Sequence, residues 1–310
     1  MYSTLPSTGS AGLTSMIGIE VRRFVRHPAF LVGTLLALAV TLWAYLAGDT
    51  VTVDGVAHPE AMLSGPIVPA FFIGLPSLVV AARLVRSTEG ADEVMGAAPG
   101  SEARRTLAVA GACVVPFLAG CLWLAELFAI TAFRPPHSAE LWFPTVNDAY
   151  VWSILVALGP VACLGGGLLG VLVGRWLRFR GAAVVAVVAL VAIDILGQSA
   201  NMNTADGARW RVALPWAMWH SGGNTGEAWG YVPAHTQAIH PGNPAAYLLY
   251  LLVLCALAVV AAVWHDRTVR STRLRLAGYG LVVAAVALFL VTALTGISEP
   301  LISPEFPSTQ

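Results

Sequence analysis

Seven long apolar runs, separated by polar or charged stretches, divide the chain: residues 29–47, 66–82, 107–132, 150–174, 181–199, 246–264 and 276–297. A helix rises 1.5 Å per residue, so about 20 apolar residues cross the hydrocarbon core of a bilayer. The pattern therefore predicts six to seven transmembrane helices. A membrane barrel would show alternating segments of about ten residues, and these runs do not alternate. The second run is short and interrupted by Pro69, Gly74 and Pro76, whose freed backbone groups neighbouring helices would satisfy. Ahead of the first run, Leu13, Ile17, Val21 and Phe24 recur at helical spacing, with Glu20, Arg22, Arg23 and Arg26 at other positions. That spacing predicts an amphipathic helix over 13–27 lying on the membrane surface; the plainer alternative is an arginine-rich flank that only sets topology. Residues 1–12 read as a disordered Ser/Thr/Gly-rich tail without a cleaved signal. The chain then divides into 1–28 (tail and amphipathic helix), 29–297 (transmembrane) and 298–310 (C-terminal tail).

Composition agrees with this pattern. Of all residues 57% are hydrophobic and 11% charged, against about 25% charged in soluble domains. Too little polar surface remains to cover a soluble globule, so the predicted class is an all-α polytopic membrane protein. Charge orients it. Fourteen of the seventeen arginines fall on one side of the alternating runs; Arg134, Arg209 and Arg211 fall on the other. The positive-inside rule makes the first side cytoplasmic. The N-terminus is then inside a multi-pass protein of the plasma membrane, and with seven spans the C-terminal tail is outside.

The net charge is zero, which argues against nucleic acid as a partner. All basic residues are Arg and none is Lys. A Walker A loop needs its Lys and a retinal Schiff base needs another, so the chain carries neither its own P-loop ATPase nor a retinal photoreceptor site. Cys113, Cys121, Cys163 and Cys255 all lie in apolar runs without CxxC spacing, and read as small core hydrophobes.

The most polar stretch between spans is 83–105, with four arginines and four carboxylates. A short helix over 87–98 would expose Glu89, Asp92 and Glu93 and offer Val94 and Met95 for burial. Pro99-Gly100 would end it. Ser101 is the expected N-cap of the next helix, with Glu102 favourable in its first turn. Such a helix, joined to spans at both ends, can transmit a push; the alternative is an ordinary solvated connection. Residues 200–245 form a long loop on the opposite side, with Trp210, Trp216, Trp219, Trp229 and Tyr231, and suggest an interfacial or re-entrant segment.

The run Glu20-Val-Arg-Arg-Phe-Val-Arg-His-Pro, and the acidic stretch from Glu89 to Glu93 followed by Pro99, Ser101 and Arg104-Arg105, resemble ABC-2-type permeases, the transmembrane subunits of ABC exporters. The resemblance covers about residues 13–265. It implies a coupling helix between the second and third spans, with Glu89, Asp92, Glu93, Val94, Met95, Ser101 and Arg104 contacting a separate ATPase subunit that binds ATP and Mg. It also implies a second permease chain, identical or related, and a fold-back segment at 200–245. This chain would then be no enzyme and bind no cofactor itself. The family core has six spans with both termini inside, so the run at 276–297 is either an addition or a sign that another run is re-entrant.

Two carboxylates lie within runs. Glu126 sits about 9 Å past the middle of the third and Asp194 about 6 Å past the middle of the fifth, toward the same side. A charge at such depth usually faces a cavity or a partner. Glu126, Asp194 and Gln198 are the candidate translocation path or proton sites; the alternative is a satisfied structural role, Asp194 with Gln198 and Glu126 reaching the interface. Gly166, Gly170 and Gly174 form a small-residue ridge that lets another helix approach, or slides during gating. His220, His235 and His240, with Asp206 and Glu227, show no metal-ligand spacing, so no metal is expected. The rival functions are a proton-coupled transporter using Glu126 and Asp194, a membrane enzyme with an external site in 200–245, and a non-transporting membrane scaffold.

Overall fold

All seven apolar runs are helical. The structure is a computed structural model that describes residues 9–46, 67–89, 101–133, 148–177, 179–200 and 241–298, with short pieces at 210, 214–215, 220–222, 237–239 and 301–302. Helix α1 is Gly9–Val25 and α2 is Pro28–Leu46. Helix α3 covers 67–89, with a π-turn at Ala70–Gly74. Helices α4 (Glu102–Ala112) and α5 (Val114–Phe133) follow each other around Cys113. Helix α6 covers 148–176, with a π-turn at Ala157–Val161. Helix α7 is Ala182–Ala200, α8 is Pro244–Val263 and α9 is Thr272–Leu294.

Among the described residues, five helical stretches are long and apolar enough to cross a membrane: Ile67–Ser87, Glu102–Ile130, Ala149–Trp176, Pro244–Val263 and Thr272–Leu294. The pair α1 and α2, bent by 62°, makes a sixth if taken as one broken span. Helix α7 is apolar but shorter, over Ala182–Leu196.

The bend has a local cause. Pro28 opens α2, where its missing N–H costs nothing. His27 Nδ1 accepts the Ala29 amide at 3.2 Å, and Phe24 and Phe30, both buried, meet edge to face at 5.3 Å. The two π-turns also follow from proline. Pro69 and Pro76 flank the first and Pro160 lies inside the second. Each turn is closed by a longer-range bond, Leu75 N–H to Ala70 O and Ala162 N–H to Ala157 O, which repairs a ladder that proline interrupts.

Helix α6 is the centre of the bundle, and 78% of its apolar window is buried. Gly166, Gly170 and Gly174 lie against Gly74, Leu78 and Ala82 of α3, so the two helices run parallel with backbones in contact. A Cβ at Gly166 or Gly170 would overlap the carbonyl of Gly74 or Leu78. The predicted ridge is thus a packing surface, and its partner is the helix that leads into 90–100. On the other side of α6, Gly167 faces Cys113, and Pro160 fits against Gly120 of α5. Trp123 of α5, fully buried, donates to Thr41 Oγ1 of α2 at 2.8 Å. The cysteines are free thiols, three of them buried, as expected for core residues.

Helix α9 packs chiefly on α8, and only 17% of its window is buried. It lies at the rim of the bundle. At its far end Gly242 N–H donates to Ile297 O (2.9 Å) and Ile297 N–H to Gly242 O (3.0 Å). Asn243 caps α8 through the Ala246 amide and reaches Thr295 Oγ1 at 3.1 Å. Strands β1 (His220–Gly222), β2 (Gln237–Ile239) and β3 (Leu301–Ile302) form a small antiparallel sheet. The fold is otherwise helical, as the apolar runs predict, and the sheet joins described pieces of the stretch after α7 to the segment after α9. Both therefore lie at one end of the bundle, as the alternation of the runs requires.

Candidate coupling face

The arginine-rich connections meet at the opposite end and are tied together by hydrogen bonds. Arg23 of α1 forms an ion pair with Glu20 at 2.9 Å and donates to Ser87 Oγ in the last turns of α3 at 2.6 Å. Arg86 donates to Leu177 O just past α6. Helix α1 also packs along α4, where Ile17 fills the space beside Gly111. The amphipathic pattern of 13–27 therefore turns part of its apolar face to protein.

The other side of the 90–100 segment is anchored more heavily. Ser101 caps α4, its side chain accepting the Arg104 amide at 3.3 Å. One residue on, Glu102 Oε1 lies 2.7 Å from His265 Nδ1 and 3.4 Å from Arg175 Nη1. Arg175, in the last turn of α6, is 1% exposed, so a carboxylate within reach offsets a charge that burial makes costly. Asp266 follows α8 and is buried. It accepts the Ala103 amide at 3.0 Å, the Thr268 amide at 2.9 Å and the Thr268 hydroxyl at 2.7 Å. Burial pushes the Asp266 carboxyl up; the Thr268 hydroxyl and amide, the Ala103 amide and the nearby Arg175 charge outweigh it, so its pKa lies below the ordinary value. Trp176 donates to Ala261 O at 3.0 Å and stacks edge to face on His265. One network thus joins the start of α4, the end of α6 and the turn between α8 and α9. At the α1–α2 bend, burial and the Arg83 charge lower the His27 pKa, which suits a ring nitrogen that accepts a hydrogen bond.

Of the residues predicted to meet a partner ATPase, Ser101 and Arg104 lie on this face, and Arg104 is exposed. Glu89 is the last residue of α3. Asp92, Glu93, Val94 and Met95 lie outside the described residues, as do Pro99 and Gly100. Most of 200–245, with Trp216, Trp219, Trp229 and Tyr231, lies outside them too. In the sequence Glu102, Arg175, His265 and Asp266 are only polar residues abutting apolar runs, a signal that does not say which of them meet.

The membrane-depth carboxylates are not brought together. Glu126 is half-buried on α5, and its Oε2 has no hydrogen-bond partner among the described residues. Asp194 is half-buried on α7 and lines a cleft with Ile67, Ala70, Phe71 and Leu75 of α3. Helices α5 and α7 share no extended contact; each packs on α6 from its own side. Gln198 is in the last turn of α7. Among the described residues no group of His, Cys, Asp and Glu is arranged to hold a metal.

Compared with protein-family models, curated proteins and solved structures, the chain matches none. The fold itself defines the class: a multi-pass helical membrane protein, with five to six helices long and apolar enough to span.

Proposed function

We propose that the chain is the transmembrane permease subunit of an ATP-driven exporter of the ABC-2 type, worked by a separate ATPase that docks on residues 83–105. The observation that carries this reading is the bracing of both sides of that segment. Ser87 is tied to α1 through Arg23; Glu102 and Ala103 are tied to α6 and to the α8–α9 turn. A push on the acidic stretch from Glu89 to Glu93 therefore reaches four or more helices as one rigid body. Nucleotide-driven closure of the partner would tilt these helices and switch a path between inward and outward access. The loose sequence motifs supply the family, and the absence of Lys supports leaving ATP and Mg to the partner.

In this reading the arginine-rich end is cytoplasmic in the plasma membrane, α1 lies at the interface as an amphipathic helix, and a short coupling helix occupies 90–98. All seven apolar helices span. Helix α7 supports that count: Ala183 near its start packs by Ala82 late in α3, while Asp194 lies by Ile67 and Ala70 at the beginning of α3. It therefore runs antiparallel to α3 along most of its length. A second permease chain, identical or related, completes the transporter.

A proton-coupled transporter is the second reading. The buried Oε2 of Glu126, without a hydrogen-bond partner among the described residues, favours it; the separation of Glu126 from Asp194 onto helices that do not pack together disfavours it.

The test is to isolate the tagged chain from its native membrane in mild detergent, beside a variant with Glu89, Asp92 and Glu93 changed to Ala. The expected result is a stoichiometric ATPase with the native chain and none with the variant. No ATPase with either, while a control complex survives the same conditions, rejects the reading.

A further inference from the structure

Helices α6, α7 and α8 line a half-open apolar slot of about 430 Å³, with Gly165 and Leu169 of α6, Leu190 of α7, and Leu251 and Ala258 of α8 along its walls. Its lining runs along α6 from Val161 to Leu172, about 16 Å at the helical rise. Pro215 covers the end away from the arginines. It is held there because the neighbouring Leu214 carbonyl accepts the Tyr247 hydroxyl at 2.8 Å. The other end stops at Ala261, whose carbonyl accepts the half-exposed Trp176 indole. Beyond it stand exposed Arg180, on the connection from α6 to α7, and exposed Arg270, which donates to Trp264 O at 2.9 Å just past α8.

We propose that this slot holds one acyl chain of an anionic bilayer phospholipid, with the headgroup at Arg180 and Arg270. The length of the slot suits the occupant. A single extended chain of about a dozen methylenes matches the length. The charge chooses the lipid. Lipid tails are as apolar as leucine, so burying one in the slot gains nothing over the bilayer. Retention then depends on shape and on the headgroup, and cations at one end with an apolar cover at the other fix which way the lipid points. Tryptophan at the charged end is at the depth that amphipathic rings favour.

The test uses the full chain, with whatever subunits accompany it, in nanodiscs. Phosphatidylglycerol with a photoactivatable group in the distal half of one chain is compared with the same probe bearing a phosphatidylcholine headgroup. The expected result is phosphatidylglycerol label around Gly165 and Ala258, at least fivefold above phosphatidylcholine. The surface variant R180Q/R270Q lowers it to the phosphatidylcholine level. G165L fills the slot, since a Cβ there meets Cys255 Sγ at an ordinary 3.6 Å. It removes slot label while label on the exposed face of α9, at Val283 and Val286, is unchanged. Equal labelling by the two headgroups overturns the proposal, as does label on α9 matching that in the slot. So does a disulfide joining two copies through L190C. If G165L does not fold, R180Q/R270Q and the headgroup comparison decide alone. None of these readouts depends on an ATPase partner.

Discussion

His265 Nδ1 lies 2.7 Å from Glu102 Oε1, across 163 residues of chain. The same oxygen is 3.4 Å from Arg175 Nη1. One carboxylate thereby ties the entry to α4 to the ends of α6 and α8, directly beside the segment proposed to meet the ATPase.

Glu102→Ala leaves the buried guanidinium of Arg175 without this carboxylate. Removing one partner of a fully buried pair costs about 3–5 kcal/mol. The Glu102 side chain is 34% exposed, so a loss of about 1–2 kcal/mol is expected. Glu102→Ala with Arg175→Met recovers most of it, because the guanidinium is no longer buried without this carboxylate. Thermal unfolding in detergent checks the order; a double variant no better than Glu102→Ala means that other contacts of Arg175 hold it in place.

Asp266 gives the turn between α8 and α9 a pH dependence. Its pKa is below the ordinary 3.8, so the folded state favours the carboxylate. That stabilisation is complete above the unfolded pKa and is lost as pH falls through the lower folded value. Melts from pH 7 down to pH 3 should show a steeper acid loss for the native chain than for Asp266→Asn. Parallel curves would mean that Asp266 contributes nothing to the acid limb.

Gly170→Leu should disrupt the bundle. Even a Cβ at this position would overlap the Leu78 carbonyl, and overpacking of a tight core typically costs about 1–3 kcal/mol, more where backbone must move. Gly18→Ala, with open space around the added carbon, serves as the tolerant control. The readout is the fraction of chain eluting as a single folded species; equal yields would mean that α3 and α6 separate more readily than their contact suggests.

Glu126→Gln and Asp194→Asn should act independently. Distant residues add in free energy within about 0.3–0.5 kcal/mol, so the fold-change in transport rate of the double variant should equal the product of the two single fold-changes. If the proposed exporter is right, transport by the native chain and by both variants is unchanged when the proton gradient is collapsed, because none is used. A coupling well beyond additivity, with altered pH dependence, would restore the proton-coupled reading.

Helices were legible in the sequence, including the glycine ridge and the Ser101 cap, because these depend on local spacing. An apolar run of the right length must satisfy its backbone internally and be helical in lipid. Four-residue glycine spacing puts Gly166, Gly170 and Gly174 on one face whatever the partner. A serine before an acidic first turn caps a helix by local geometry. The alternation of arginine-rich connections was legible too, and the hydrogen bonds that gather them at one end agree with it.

Periodicity is blind to which elements meet, and there the tertiary structure decided. It made α3 the partner of the ridge and put α9 at the rim of the bundle. Glu126 and Asp194 share a depth in the sequence, but α6 stands between their helices. The network of Glu102, Arg175, His265 and Asp266 had no local signature, because each residue is an ordinary polar neighbour of an apolar run. Its meaning comes from packing α4, α6 and α8 side by side, which puts a buried arginine, an imidazole and two carboxylates within hydrogen-bond reach. A chain determines its helices by short-range satisfaction of backbone groups; it determines its ion pairs only once the packing of those helices has brought distant side chains together.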